Sequence, residues 1–220
     1  MPIPTHQSLV DLLPPKLLRL LEAAGTTRFY HDGQVLHTQR ADSVGLSIVL
    51  SGRVRFGLYT TDGSFNLSGI LGRGHCFGEV TLFANRPRAY HAEAFGETEV
   101  LSIGRQAFNA LYDAHPRFAR AVTVTVTQRL YEALDTADDL RHRSIEQQIA
   151  MMLLRVARTG GFDDDEIPLR QSDIAFSLGK SRVSVGKALD RLRQRGLISL
   201  GYGSITIRRR VELLAMGGED

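Results

Sequence analysis

The spacing of hydrophobic positions changes period along this chain, and the changes mark off its elements. Over residues 8–24, Leu17, Leu18, Leu20 and Leu21 fall on one face at helical spacing. Ser8 stands where a cap is needed, and Pro14-Pro15 interrupts or restarts the helix. From Thr27 to Ile103 the pattern shortens to alternating runs at 34–37, 45–50, 53–59, 65–71 and 99–103. Asp32-Gly33, Ser51-Gly52 and Asp62-Gly63 separate these runs, the last being the clearest hairpin turn. Short strands so closely spaced predict an all-β barrel or roll. Residues 105–114 return to helical spacing through Phe108 and Leu111.

From Pro116 to about Arg141, the residues Ala119, Thr123, Val126, Leu130, Ala133, Ala137 and Leu140 recur at alternating steps of four and three. That is the heptad seam of a helix that pairs with another helix. The stretch VTVTVT at 122–127 has the β-branched alternation of a strand, but the seam continues on both sides of it, so a helix is expected. Packing of this helix on its own domain is the alternative to pairing. Ser144 and Gln147 have the spacing of a capping box and open a helix at 145–158, followed by Gly160-Gly161 and an acidic loop at 163–166. A further helix at 172–178 buries Ile174, Ala175 and Leu178 and stops at Gly179, a residue free to turn the chain sharply. Ser181 then caps a second helix with Val185, Ala188, Leu189 and Leu192 behind and Lys180, Arg182, Ser184 and Lys187 in front. SLGYGSITI supplies two short strands around 201–204, a β-wing that Arg208, Arg209 and Arg210 extend.

Charge sharpens this picture. Residues 1–142 hold 14 Lys+Arg against 14 Asp+Glu, whereas 169–210 hold ten basic residues against Asp173 and Asp190 alone, a surplus of +8. Positive charge concentrated on a helix pair attracts a phosphate backbone whatever its sequence. A helix with apolar residues behind and basic or hydroxyl residues at its N-terminal front has the form of a major-groove reader. No run approaches the ~20 apolar residues of a membrane span, and MPIPTHQSLV lacks the pattern of a signal peptide, so no membrane partner and a cytoplasmic location are expected. One cysteine, Cys76, excludes an internal disulfide and a multi-cysteine metal cage, and the six histidines other than His75, a loop residue, show no metal-ligand spacing. No metal site and no catalytic residue are therefore assigned.

A β-roll, a long helix with a pairing seam and a winged helix-turn-helix, in this order, resembles the Crp-Fnr family of bacterial transcription regulators over nearly the whole chain. Two motifs carry the resemblance. One is Gln171 to Ile198, ending in LDRLRQRGLI; the other is Gly72-Arg-Gly-His75-Cys-Phe-Gly-Glu79 followed by Leu82-Phe83 and Pro87-Arg88. The resemblance implies an α+β fold: an N-terminal β-roll of the cyclic-nucleotide-binding-like jelly-roll type, a long dimerisation helix and a C-terminal winged helix-turn-helix. The expected divisions are 1–115 for the sensor roll, 116–142 for the dimerisation helix and 143–220 for the DNA-binding domain. It implies a non-enzymatic homodimer that binds double-stranded DNA at a palindromic operator, with Arg182 set to read guanine, Lys187 to read a base or hold a phosphate, and Arg170, Gln171, Ser181 and Ser184 on phosphates. Val183 stands where the best-known cAMP-binding members carry a cytosine-reading glutamate, so a different half-site is expected. Val126, Leu130, Ala133, Ala137 and Leu140 are the expected dimer interface, and RNA polymerase is left open as a further partner.

In cyclic-nucleotide-binding members a Gly-Glu pair and an Arg-Ser or Arg-Thr pair grip the nucleotide, and here Gly78, Glu79 and Arg88 match. Ala89 replaces the expected hydroxyl, and Ala133 and Leu134 replace hydroxyls that contact adenine, so a cAMP-type effector and an internal Glu79–Arg88 ion pair without ligand both stay open. An iron–sulfur cluster is excluded by the single cysteine, and haem is disfavoured because Gly78 and Val80 occupy the places of the carbon monoxide sensor's ligands. A cupin-like enzyme would need a His/Glu metal cluster that the spacing does not supply. A nucleotide-binding subunit without DNA activity would leave the wing and the basic segment unexplained.

Overall fold

The computed structural model describes residues 7–42, 45–61, 63–162 and 165–217. His6 and the chain before it, Asp62 of the expected hairpin turn, and Asp163-Asp164 of the expected acidic loop lie outside the described residues. The described residues form two compact units: one takes in 7–58 and Gly69–Tyr131, the other Tyr59–Ser68 and 132–217. Among the described residues no helix is long and apolar enough to cross a membrane.

The roll begins with a 3-10 turn at Val10–Leu12, closed where Ser8 N and Oγ donate to Asp11 Oδ2 at 2.9 and 2.7 Å. Helix α1 (Pro15–Ala24) then starts on its proline, which fits the first helical position because no N–H is needed there. The strands are β1 (Thr26–Tyr30), β2 (Val35–His37), β3 (Gly45–Tyr59), β4 (Phe65–Gly72), β5 (Cys76–Phe77) and β6 (His91–Gly104). They form one antiparallel sheet in the order β1-β6-β3-β4, with β2 added on β6 and β5 on β3. Between them and after them come α2 (Glu79–Ala84), α3 (Arg105–Ala114) and α4 (Pro116–His142).

Two expectations are corrected here. Ser51-Gly52 is not a separator: the runs at 45–50 and 53–59 are one strand, β3, with a register shift against β6 at Val49/Ser51/Arg53. Gly52 sits at φ +71, and a Cβ there would collide with the Glu97 carbonyl, so the glycine makes a bulge that lets both strands continue. Thr98 Oγ1 steadies it by accepting from Arg53 N at 3.2 Å and donating to Arg53 O at 2.8 Å. Likewise the run at 99–103 is only the end of β6, and β1 pairs with it although its residues are mostly exposed and lack an alternating apolar signature.

Ile48, Leu101, Ile103, Phe108, Phe118 and Val122 join the α1 leucines in one core cluster, so α3 and the first half of α4 close one face of the sheet. Val49, Val54, Phe77, Ala92 and Val100 form a second cluster. VTVTVT is helical, as the seam predicts: Val122 and Thr125 are buried and Thr125 Oγ1 donates back to Ala121 O at 3.0 Å.

In the other unit, Ser144 caps α5 (Ile145–Gly160) in a capping box with Gln147. Then follow β7 (Glu166–Ile167), α6 (Gln171–Leu178), α7 (Arg182–Gln194), β8 (Ile198–Leu200), β9 (Ile205–Ile207) and α8 (Arg210–Ala215). The sheet order is β7-β9-β8, so the expected two-stranded wing gains a third strand. The core is Ile149, Leu153, Ile174, Val185, Leu189, Leu192 and Ile205. Residues 59–68 belong to this unit through Leu67, whose N–H donates to Asp173 Oδ1 at 3.1 Å and whose carbonyl accepts from Ser177 Oγ at 3.1 Å.

Candidate nucleic-acid interface and effector pocket

The polar surface of α6 and α7 follows from how the two helices are started. Asp173 is buried, and its Oδ2 accepts from Arg170 N at 2.9 Å, holding the first turn of α6. Gly179 ends that helix at φ +60, in the left-handed region, and Ser181 starts α7 by accepting from Ser184 N at 3.1 Å. Val185, Ala188, Leu189 and Leu192 turn inward. Lys180, Ser181, Arg182, Val183 and Lys187 are thereby left exposed on the outside, with Ser184 half-buried and its hydroxyl 2.9 Å from that of Ser181.

Six of the ten basic residues at 169–210 have partners within this unit, Arg195 by donating from Nη1 to Met216 Sδ at 3.7 Å. Arg191 pairs with Glu146, Arg193 with Asp190, Arg209 with Glu212 and Arg210 with Asp165, while Arg208 Nε donates to Ser199 Oγ at 2.9 Å. The Arg208–Arg210 run is thus engaged within its own unit, and Arg210 opens α8 rather than extending the wing. Among the described residues no ion pair is found for Arg170, Lys180, Arg182 or Lys187, and all four are exposed. Gln171 is exposed as well, but its side-chain amide donates to the carbonyl of Arg182. At the wing tip, Gly201 N donates to Ser204 O at 2.9 Å, and the turn holds Tyr202 wholly in solvent.

The second site lies in the roll, where β5 runs into α2. Gly78 sits at φ +100, and a Cβ there would strike the Gly45 carbonyl and the Arg88 guanidinium, so only glycine leaves this cradle open. Glu79 and Arg88 are buried, at 2 and 7% exposure, and Arg88 Nη2 donates to Gly45 O at 3.2 Å. Burial draws the Arg88 pKa down, with the Glu79 charge opposing. The carboxylate of Glu79 is paired, but with a residue that sequence reasoning missed: Arg129 of α4 donates one arm of its guanidinium to Glu79 Oε1 and the other to the Cys76 carbonyl. No local signal marked Arg129, which lies 50 positions from Glu79 and off the heptad seam. Glu79 Oε2 is left buried without a hydrogen-bond partner among the described residues. Burial and the Glu79 charge push the Cys76 thiol up to about 12, against the pull of Arg129, so Cys76 stays a thiol.

Along α4 the expected seam residues differ in placement. Val126 is half-buried and packs on the core of the roll, whereas Leu130, Ala133, Ala137 and Leu140 are exposed. Tyr131 at 65% and Leu134 at 57% enlarge the exposed apolar surface of the helix. Ala89 is exposed.

A model described as "Cyclic nucleotide-binding domain" matches residues 27–115, and one described as "Crp-like helix-turn-helix domain" matches residues 147–216. The chain is 29% identical over 196 residues to the Cyclic AMP receptor protein of Thermus thermophilus, covering 89% of this chain and 90% of that one. It is 30% identical over 167 residues to the CRP-like cAMP-activated global transcriptional regulator of Mycobacterium tuberculosis, covering 74 and 75% of the two chains. The solved structure of the Thermus thermophilus Catabolite Activator Protein aligns with a TM-score of 0.55 at 28% identity over 96% of this chain and 98% of that one.

Proposed function

The chain belongs to the Crp-Fnr family of transcription regulators, and from that premise we propose that it works as a homodimer reading a roughly palindromic DNA operator. The observation that carries this reading is the set of exposed cations (Arg170, Lys180, Arg182 and Lys187), without an ion pair among the described residues, gathered where α6 meets the N-terminal front of α7. Two copies paired along Leu130, Ala133, Ala137 and Leu140 of α4 would present two such fronts about one duplex turn, ~34 Å, apart. In this arrangement Arg182 reads a guanine edge, Val183 packs on a thymine methyl, Lys187 reaches a base or phosphate, and Arg170, Ser181 and Ser184 hold phosphates. Residues 1–115 serve as the sensor, 116–142 as the pairing element and 143–220 as the DNA reader. The protein acts in the cytoplasm without catalysis.

The pocket supports an anionic effector bearing a hydroxyl, of the cyclic-nucleotide type that the names of the relatives specify for those proteins. Glu79 Oε2 is a buried acceptor in need of a donor, and Gly78 and Arg88 supply an open cradle and a cation beside it. A second reading rests on Arg129: its bonds to Glu79 and Cys76 fasten α4 to the pocket from within, as a ligand-independent DNA binder would require.

Selection of bound sequences from random DNA, with and without cAMP or cGMP, tests both readings. A two-fold symmetric site enriched only with nucleotide supports the first, and the same site enriched regardless supports the second. Arg182→Ala should relax one base position in each half-site and cost ~1–3 kcal/mol there. Absence of any enriched site would overturn the DNA-reading function itself.

A further inference from the structure

Helix α7 carries a glycine in its first half, Gly186, where alanine would suit a helix better. The structure gives the reason for the space. A Cβ on Gly186 would come within 2.5 Å of Gln171 Nε2. That nitrogen donates to the carbonyl of Arg182, the first residue of α7. The helical ladder directs the Gly186 N–H to the same carbonyl, so one oxygen takes a donor from each helix of the pair.

This contact stands at a sensitive place. α6 and α7 are joined only by the turn through Gly179, a residue whose backbone is permissive rather than stiff. Gln171 is the first residue of α6 and Arg182 the first of α7, so their bond fixes the opening end of one helix against the other. The residue held is also the one whose side chain fronts the reading surface. A bidentate contact to a base edge tolerates little displacement, because both hydrogen bonds must be made at once.

We propose that Gln171 is a positioning residue that sets the direction of Arg182, and that Gly186 is the specificity-determining vacancy that admits it. The inference rests on the DNA-reading function proposed above, and it replaces the expectation that Gln171 contacts a phosphate. Gln171 spends one of its two amide N–H groups on the Arg182 carbonyl, which holds the side chain against α7, and Gly186 acts through Gln171 without touching DNA.

The test compares base-preference profiles, affinities for the best site and its single-base variants, and thermal midpoints of wild type, Gln171→Ala, Gly186→Ala and the double variant. Each single change should lose about tenfold in discrimination at the base position that Arg182→Ala also relaxes. Gly186→Ala should do so while melting no earlier than wild type, because alanine favours the helix. The double variant should resemble Gln171→Ala, since the added methyl then has no amide to displace. Should Gln171→Ala melt early, Gly186→Ala decides alone. A Gly186→Ala profile identical to wild type overturns the proposal. So does uniform weakening of Gln171→Ala on every sequence, the mark of a phosphate contact. A wild-type protein without sequence preference overturns the function on which the inference rests, and the inference with it.

Discussion

His37 shows how burial inside the roll converts a titratable residue into a pH-dependent component of stability. It ends β2, half-buried, with its ring 5.9 Å from that of Phe77. Burial first, and then the charges of Arg88 and His91, lower its pKa from 6.5 to about 4, against the backbone bonds at Thr38 and Tyr90. An unfolded histidine takes its proton near 6.5, so between about 6.5 and 4 the unfolded chain binds more protons than the folded one. Stability contributed by this group is therefore complete above pH 6.5, declines as pH falls through that window and levels below 4. Allowing for its partial exposure, the loss should be roughly 1–2 kcal/mol. Urea unfolding of wild type and His37→Phe at pH 7 and pH 4.5 measures it: the wild type should lose more stability on acidification, and equal losses would refute the assignment. The same scale explains what the sequence revealed of the pocket. Gly78, Glu79 and Arg88 stand in a contiguous motif and could be named, whereas Arg129 reaches Glu79 from another element and could not.

Among elements, α6 is held at its start by one buried polar side chain. Asp173 accepts from Arg170 N with one oxygen and from Leu67 N with the other, at 2.9 and 3.1 Å, and is 5% exposed. Replacing it by alanine leaves two backbone donors without their acceptor, one of them on the buried Leu67, and should cost ~2–3 kcal/mol. Asp173→Asn keeps one acceptor oxygen and should lose about half as much. Chemical denaturation monitored by circular dichroism checks the order, and a loss below ~0.5 kcal/mol for Asp173→Ala would show that water replaces both bonds freely. Legibility at this scale followed the local signals. The Ser144 box, the Gly179 stop and the Ser181 cap are short-range chemistry, and the structure has the elements they predict. Ser51-Gly52 misled because a positive-φ glycine serves a bulge as well as a turn, and only the strand opposite decides which. β7 has two residues and β5 two, too short for any periodicity to reveal.

At the scale of the whole molecule, the distribution of ion pairs decides how much of the basic surplus is available to a polyanion. The formal excess of +8 at 169–210 overstates it, because Arg191, Arg193, Arg209 and Arg210 already face carboxylates. Surface pairs of this kind contribute little to stability, but a carboxylate beside an arginine lowers the local potential that a phosphate would meet. Six cations of this segment have no ion pair among the described residues; Arg195 and Arg208 bond Met216 Sδ and Ser199 Oγ instead, and the other four, Arg170, Lys180, Arg182 and Lys187, lie beside the front of α7. If Arg182 is spent on a base edge, roughly three cations per protomer, or about six per dimer, release counterions from phosphates. The logarithm of the binding constant should then fall against the logarithm of salt concentration with a slope of about −5, rather than the roughly −14 expected if about eight positive charges per protomer all engaged. Fluorescence anisotropy with a labelled operator, titrated at several salt concentrations, gives the slope directly. A Lys180→Ala change should reduce its magnitude by about two in the dimer, while Arg193→Ala should leave it unaltered. A slope near zero would remove phosphate binding from this face. A slope near −14 would mean that the internal ion pairs open on DNA, and the division of the basic residues into engaged and available sets would fail.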